Sequence, residues 1–205
     1  MQEEISEGIW AVASTTMSGA ALTWRHFTEV HELPELVKYV SDYDTWQFKY
    51  GLDTKFINKY LQLVAKTTTA YGMIFDELQE KRQYAPAFDA GCNIQQYHDR
   101  LVNSICKDMA RPIILITPEG TQYRGLCAHA PKMLASDVGH KLATMCGTYG
   151  CSIIQRSNGN YEYSLRSLDS DLPTVDVSVL AEVYGGGGHK CAAGFTIAGN
   201  PEELM

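Results

Sequence analysis

Residues 185–195 read Gly185-Gly186-Gly187-Gly188-His189-Lys190-Cys191-Ala192-Ala193-Gly194-Phe195. A helix-like segment, VDVSVLAEVY (175–184), precedes the glycines, and a strand-like AGFTI (193–197) follows them. Four glycines leave backbone amides uncovered beside a histidine, and the small residues beyond it allow close approach, which is the make-up of an anion cradle. Taken as glycine alone, the run is equally at home in a flexible turn with a solvated histidine. The order helix, glycines, strand excludes the familiar nucleotide loops. A Walker loop carries Lys and then Ser or Thr directly after its last glycine, and a dinucleotide-binding fold sets its glycines between a strand and the following helix.

Working outward from this stretch, residues 111–205 read as one compact α/β unit. Strands are expected at IILIT (113–117), TQYRGLCAHA (121–130), CSIIQR (151–156) and YEYSLRS (161–167). Ser157, Asn158, Gly159 and Asn160 join the last two, and Asn-Gly between such runs signals a hairpin. Helices fit ASDVGHKLATMC (135–146) and VDVSVLAEVY. In the first, Ser136 is the expected N-cap, and Val138, Leu142 and Met145 are spaced to share a face. A mixed sheet with helices on one face is the economical packing. Arg166 and Ser167 lie near the end of the YEYSLRS strand. The planar donor fork of Arg166 suits phosphate oxygens, although a surface salt bridge would account for it as well.

Residues 1–110 are mainly helical in pattern, and Pro112 after MAR (109–111) marks the division between two domains. SGAALTWRHF (18–27) has small residues for close helix contact, and FINKYLQLVAKTT (56–68) and MIFDELQEKRQ (73–83) are further helices. NIQQYHDRLVNSICKDM (93–109) places Ile94, Tyr97, Leu101 and Ile105 on an expected core stripe and crosses between the domains. After the β-capable KYV (38–40) come Ser41, Asp42, Tyr43, Asp44, Thr45 and Trp46. Two carboxylates one residue apart at a strand end could supply oxygen ligands to Mn²⁺ or Mg²⁺, and they serve equally as turn or helix-cap residues. Tyr39, Tyr43, Trp46 and Tyr50 are either core or a base-stacking set. His26 and His31, five residues apart, would point to different faces of a helix, and His98, His129 and His140 have no partner at ligand spacing.

The 205 residues carry a formal charge of −7, which argues against a broad electrostatic grip on duplex nucleic acid but leaves room for a local phosphate pocket. Six cysteines without a CxxC pair or zinc-finger spacing read as reduced thiols, and with no apolar run long enough for a membrane helix and no secretory pattern at MQEEISEGIW, a cytoplasmic protein without membrane association is expected.

GGGGHKCAAGF resembles the signature of the C-terminal domain associated with the Asp-His-His (DHH) phosphoesterases, a superfamily that includes RecJ-type exonucleases, oligoribonucleases and cyclic-dinucleotide phosphodiesterases. The resemblance implies that Gly186, Gly187, Gly188, His189, Arg166 and Ser167 hold substrate phosphate, opposite a metal-bearing N-terminal domain. It also implies that Asp42, after an apolar strand beyond the SGAALTW-like segment, is the last of the Mn²⁺ or Mg²⁺ ligands, with Asp44 as the fallback. Residues 1–110 would then be the remnant of the DHH domain and its linker helix, and 111–205 the substrate-binding domain. The DHH triplet does not occur in this sequence, and the Asp-x-Asp segment that the family carries upstream of the SGAALTW-like segment does not occur before Ser18. By itself the chain is therefore expected to bind phosphate without hydrolysing it, to hold metal weakly, and to serve a complete enzyme that cleaves short single-stranded oligonucleotides with a two-metal mechanism. The other reading is a stand-alone nucleotide-binding or interaction module. A truncated N-terminal domain would expose apolar surface, so a homodimer is expected.

Overall fold

The computed structural model of the chain describes residues 2–6, 9–12, 14, 16–80, 86–117, 119–168 and 175–199. The end of the expected helix 73–83 lies outside these residues. The chain forms two compact units, Met1–Tyr97 and His98–Met205, an α/β organisation.

The first unit begins with two short antiparallel strands, β1 (Gln2–Ser6) and β2 (Ile9–Val12). Helices α1 (Gly19–Thr28), α2 (Glu35–Asp44), α3 (Leu52–Leu61) and α4 (Thr68–Glu80) follow. Ser18 starts α1 by accepting the Ala21 amide, the usual task of a helix N-cap. Leu36, Tyr39, Ile57, Leu61, Ile74, Leu78 and Ala87 make the core. KYV lies inside α2, not in a strand. Leu36, Tyr39 and Val40 recur at the 3–4 spacing of a helix face that packs on this core, and three β-capable residues do not outweigh that burial.

Helix α5 (Pro86–Met109) runs from the first unit into the second. It ends at the expected place, just before residue 110, but the compact units divide within it, because its last turns belong to the second core. The buried positions of those turns are His98, Val102 and Cys106. Tyr97, expected on the core stripe, is 65% exposed. The burying face is displaced by about one residue, and it carries Gln95 and His98, whose polarity disguised it in the sequence.

The second unit is a six-stranded mixed sheet in the order β3-β4-β5-β6-β8-β7. The strands are β3 (Arg111–Ile116), β4 (Gln122–His129), β5 (Tyr149–Gln155), β6 (Asn160–Ser167), β7 (Gly187–His189) and β8 (Ala192–Ala198). All neighbours are antiparallel except β4 and β5, whose parallel pairing is made possible by the crossover helix α6 (Ala135–Cys146). The expected β5–β6 hairpin is present, with Gly159 at φ 83° and Arg156 N donating to Asn160 O at 2.8 Å.

Helices cover both faces of this sheet rather than one. Strand residues alternate between faces. Cys127, Cys151, Ile153, Tyr163, Leu165, Ala193 and Phe195 pack under α7 (Val177–Val183), with Val177, Leu180 and Ala181. The alternate residues face the other way, where Ala128 and Leu126 pack with Val138 and Leu142 of α6 and with Val102 and Cys106 of α5. The α6 pattern is met at Val138 and Leu142, whereas Met145 is half exposed. Ser136 is not the N-cap; that position is Leu134, which makes no side-chain cap bond.

Candidate functional site

The glycine run is a strand edge and not an open loop. Gly187–His189 forms β7, paired with β8 through Gly187 opposite Gly194, Gly188 opposite Ala193 and His189 opposite Ala192. β7 is the last strand of the sheet, so its outward backbone groups have no strand neighbour. The reason for the glycines is different at each position. A Cβ on Gly186 would stand 2.1 Å from Gly194 O, and one on Gly188, at φ 147°, 2.5 Å from Ala192 O. These two are needed for the tight turn from α7 onto β8. At Gly187 a Cβ would meet nothing within 4 Å, so there the missing side chain leaves open surface.

Register brings two side-chain donors, Arg166 and His189, into one row. Arg166 of β6 lies opposite Ala192 of β8, and His189 of β7 lies opposite the same Ala192. Directly paired residues share a sheet face. Tyr163 and Leu165 point into the α7 core, so Glu162, Ser164 and Arg166 point to the other face, with Ala192, Gly194 and Thr196 beside them and Gly187 and His189 beyond. The result is a floor of small residues, Ser164, Gly194, Gly187 and Ala192, with a guanidinium on one side and an exposed imidazole on the other.

Arg166 is held in place. Its Nη1 donates to Ser164 Oγ at 3.1 Å and to Leu165 O at 2.8 Å, and its Nη2 donates to Ser136 Oγ at 2.8 Å. Ser136, expected to cap α6, instead braces this guanidinium from the first turn of that helix. Ser152 Oγ donates to Ala135 O at 2.7 Å and ties the same turn to the sheet. Burial pushes the Arg166 pKa down, and the Asp137 carboxylate opposes that. Asp137 is itself 2.7 Å from Nε2 of the buried His98, so His98 has an acidic partner that its sequence spacing did not reveal.

Ser167 belongs to a different face. It is 4% exposed, and its Oγ donates to Lys190 O at 3.1 Å while its amide donates to Cys191 O at 3.2 Å. Its work is to pin the turn that presents His189. The structure thus brings Arg166, Gly187 and His189 together on one surface, sets Gly186 and Gly188 beneath it as scaffold, and turns the Ser167 hydroxyl away.

In the first unit, Asp42 lies in the last turn of α2 and is 5% exposed. Its carboxylate accepts the Lys49 amide at 2.9 Å, the Tyr50 amide at 3.3 Å and the Thr54 hydroxyl at 2.5 Å. These bonds fasten the loop between α2 and α3, in which Trp46 (φ 56°) and Phe48 (φ 51°) adopt left-handed backbone. Asp44, the last residue of α2, is exposed. Among the described residues, no three His, Cys, Asp or Glu side chains gather as metal ligands. With its oxygens already used by three donors, Asp42 and its neighbours do not fit a resident Mn²⁺ or Mg²⁺. The nearby aromatics divide. Tyr39 is core, Tyr43, Trp46 and Phe48 contact one another edge to face, and Tyr50 is 46% exposed with its ring against Tyr39.

Sequence reasoning missed Ser136, Ser164, Glu162, Lys132 and Arg156. The period-two pattern of YEYSLRS already aligns Glu162, Ser164 and Arg166, and could have found two of them. Ser136 of α6, Lys132 of the 3-10 turn before it and Arg156 at the β5–β6 hairpin reach that face only through tertiary packing. No helix among the described residues is long and apolar enough to cross a membrane.

No family model matches the chain. It is 25% identical over 186 residues to the uncharacterized protein R106 of Acanthamoeba polyphaga mimivirus, covering 89% of this chain and 41% of that protein. The chain therefore spans about two fifths of that relative's length. Among solved structures it is similar in fold to PggH, a pGpG-specific phosphodiesterase from Vibrio cholerae, with a TM-score of 0.52 and 13% identity over 88% of this chain and 68% of that one.

Proposed function

We propose that this chain holds nucleotide phosphate for a phosphodiesterase of short single-stranded oligonucleotides, and that it does so on the β6–β8–β7 face. The observation that carries this is the cross-strand row Arg166–Ala192–His189, two side-chain donors flanking a floor without bulk. The fold shared with a phosphodiesterase that acts on a dinucleotide supports the same reading, as does the DHH-associated signature in residues 185–195.

Arg166 supplies fixed positive charge and a donor fork whose direction Ser136 and Ser164 set before any ligand arrives. Such preorganisation lowers the ordering cost of binding. His189 stands at the exposed end of β7, able to donate from its ring, and Gly187 lets a phosphate or sugar lie against the backbone between them. The role of these residues is to bind and orient. The metal chemistry implied by the family finds no fitting donor set among the described residues, so hydrolysis is assigned to the complete phosphoesterase. That same observation at Asp42 favours the second reading, a nucleotide-binding module that does not cleave. Steady turnover of a labelled dinucleotide by this chain with added Mn²⁺ would overturn the second reading and the absence of a fit.

The test of the binding face is titration of the chain with a fluorescent 5′-phosphorylated oligoribonucleotide. His189→Ala and Arg166→Ala should each weaken binding by roughly 1–3 kcal/mol, about five- to 150-fold, the scale of a charge-assisted hydrogen bond. Unchanged dissociation constants in both variants would refute the site.

A further inference from the structure

Beyond Arg166, the same face of β6 carries a second group of cations that the row with His189 does not use. Lys132, in the 3-10 turn before α6, and Arg156, at the β5–β6 hairpin, both ion-pair with the single carboxylate of Glu162. Glu162 shares its face with Ser164 and Arg166. Burial pushes the Lys132 amine's pKa down, and Arg156 and Arg166 each add to that, so Lys132 lies in the field of both arginines. Glu162 offsets one of its two partners, Lys132 and Arg156, and the Asp137 carboxylate lies in the field of Arg166, so the three cations and two acids leave a surplus of one positive charge on a protein whose net charge is −7. Both outer cations are accessible, with Lys132 61% and Arg156 45% exposed, whereas Glu162 is 19% exposed.

The spacing is informative. Glu162 and Arg166 are four residues apart on an extended strand, about 13 Å at roughly 3.3 Å per residue. The Arg166 side chain shortens that gap by turning along the strand to Ser164. Along β6, the Glu162 position with Lys132 and Arg156 is thus separate from the Arg166–Ala192–His189 row.

We infer that Lys132 and Arg156 form a second phosphate subsite, which makes the face selective for single-stranded oligonucleotides carrying phosphates on successive nucleotides over ligands with one phosphate. This rests on the binding face proposed above. On binding, the incoming phosphate competes with Glu162 for the two cations, and no covalent step is involved.

The experiment compares GpG, which has a single phosphate, with a 5′-phosphorylated pentaribonucleotide, on the wild-type chain and on the variant K132Q/R156Q/E162Q. That variant removes both cations together with the acid that would otherwise be left unpaired. Pentanucleotide affinity should fall roughly tenfold, the scale of one charge-assisted hydrogen bond removed, with GpG affinity unchanged. The slope of log affinity against log salt should become shallower by about 0.7 for each phosphate that is no longer neutralised. Glu162→Gln alone, which frees both cations, should tighten the pentanucleotide, a gain that a merely structural acid would not give. Equal affinity of wild type and triple variant for the pentanucleotide overturns the subsite and leaves the Arg166–His189 face standing. An equal loss for both ligands overturns it too, by showing a general field rather than a subsite. If neither ligand binds the wild-type chain, the binding face itself falls, and the subsite with it.

Discussion

Substituting alanine at each of Gly186, Gly187 and Gly188 separates scaffold from surface within three residues. A Cβ at Gly186 would stand 2.1 Å from Gly194 O and 2.6 Å from Phe195 Cβ, and the obstacle is mostly backbone of the paired strand. At Gly188 it would stand 2.5 Å from Ala192 O, with a positive φ adding strain. Either variant must pry β7 from β8, so each should lose roughly 1–3 kcal/mol or more, the cost of overpacking. At about 2–4 °C per kcal/mol for a chain of this size, that is a fall in Tm of several degrees. Gly187→Ala meets nothing within 4 Å and should change stability by less than about 1 kcal/mol, with the sign favouring alanine because the unfolded chain loses freedom. Its methyl would rise beside Gly194 on the proposed phosphate floor, so binding should weaken although folding does not, and Gly187→Leu should weaken it further. Thermal unfolding followed by circular dichroism, paired with oligonucleotide titration of the same samples, reads both effects. A Gly187→Ala protein as unstable as Gly186→Ala would refute the edge-strand placement of the run. A stable Gly187→Leu protein with undiminished affinity would refute the floor.

Asp42→Ala should strand the Lys49 and Tyr50 amides and the Thr54 hydroxyl, for a loss on the order of 3 kcal/mol or more in chemical denaturation; a variant as stable as wild type would show that the carboxylate is not the fastener of that loop. His129 has its pKa lowered from 6.5, chiefly by burial and then by Arg111. The folded state therefore resists protonation more than the unfolded chain does. Stability contributed by neutral His129 is present above pH 6.5 and is lost as pH falls through its lower folded value, so wild type should lose more stability than His129→Gln between pH 7 and pH 5. Parallel pH profiles of the two unfolding free energies would contradict this.

The α/β character of the second unit, its β5–β6 hairpin and the helix before the glycines were legible in local pattern, since alternation, Asn-Gly and apolar spacing act over a few residues. KYV misled because a three-residue preference is decided by the burial of a whole helix face, here Leu36 and Tyr39. In α5, Leu101 and Ile105 pack against the second core as their spacing suggests, whereas Tyr97 gives way to the buried His98, a polar residue whose partner Asp137 lies far along the chain.

Local pattern alone gave the residue types near residue 189: an arginine in a strand, a glycine run and a histidine. Only the tertiary structure decided how those pieces are used. Cross-strand register puts Arg166 and His189 on one row through Ala192: the β7–β8 pairing of His189 with Ala192 is local, whereas the β6–β8 pairing of Arg166 with Ala192 joins residues more than twenty apart in the chain. The alternation of β6 turns Ser167 to the other face, and the packing of α6 delivers Ser136 to Arg166. Composition cannot carry this information, because which face a side chain takes depends on which strand it pairs with and what buries the other side.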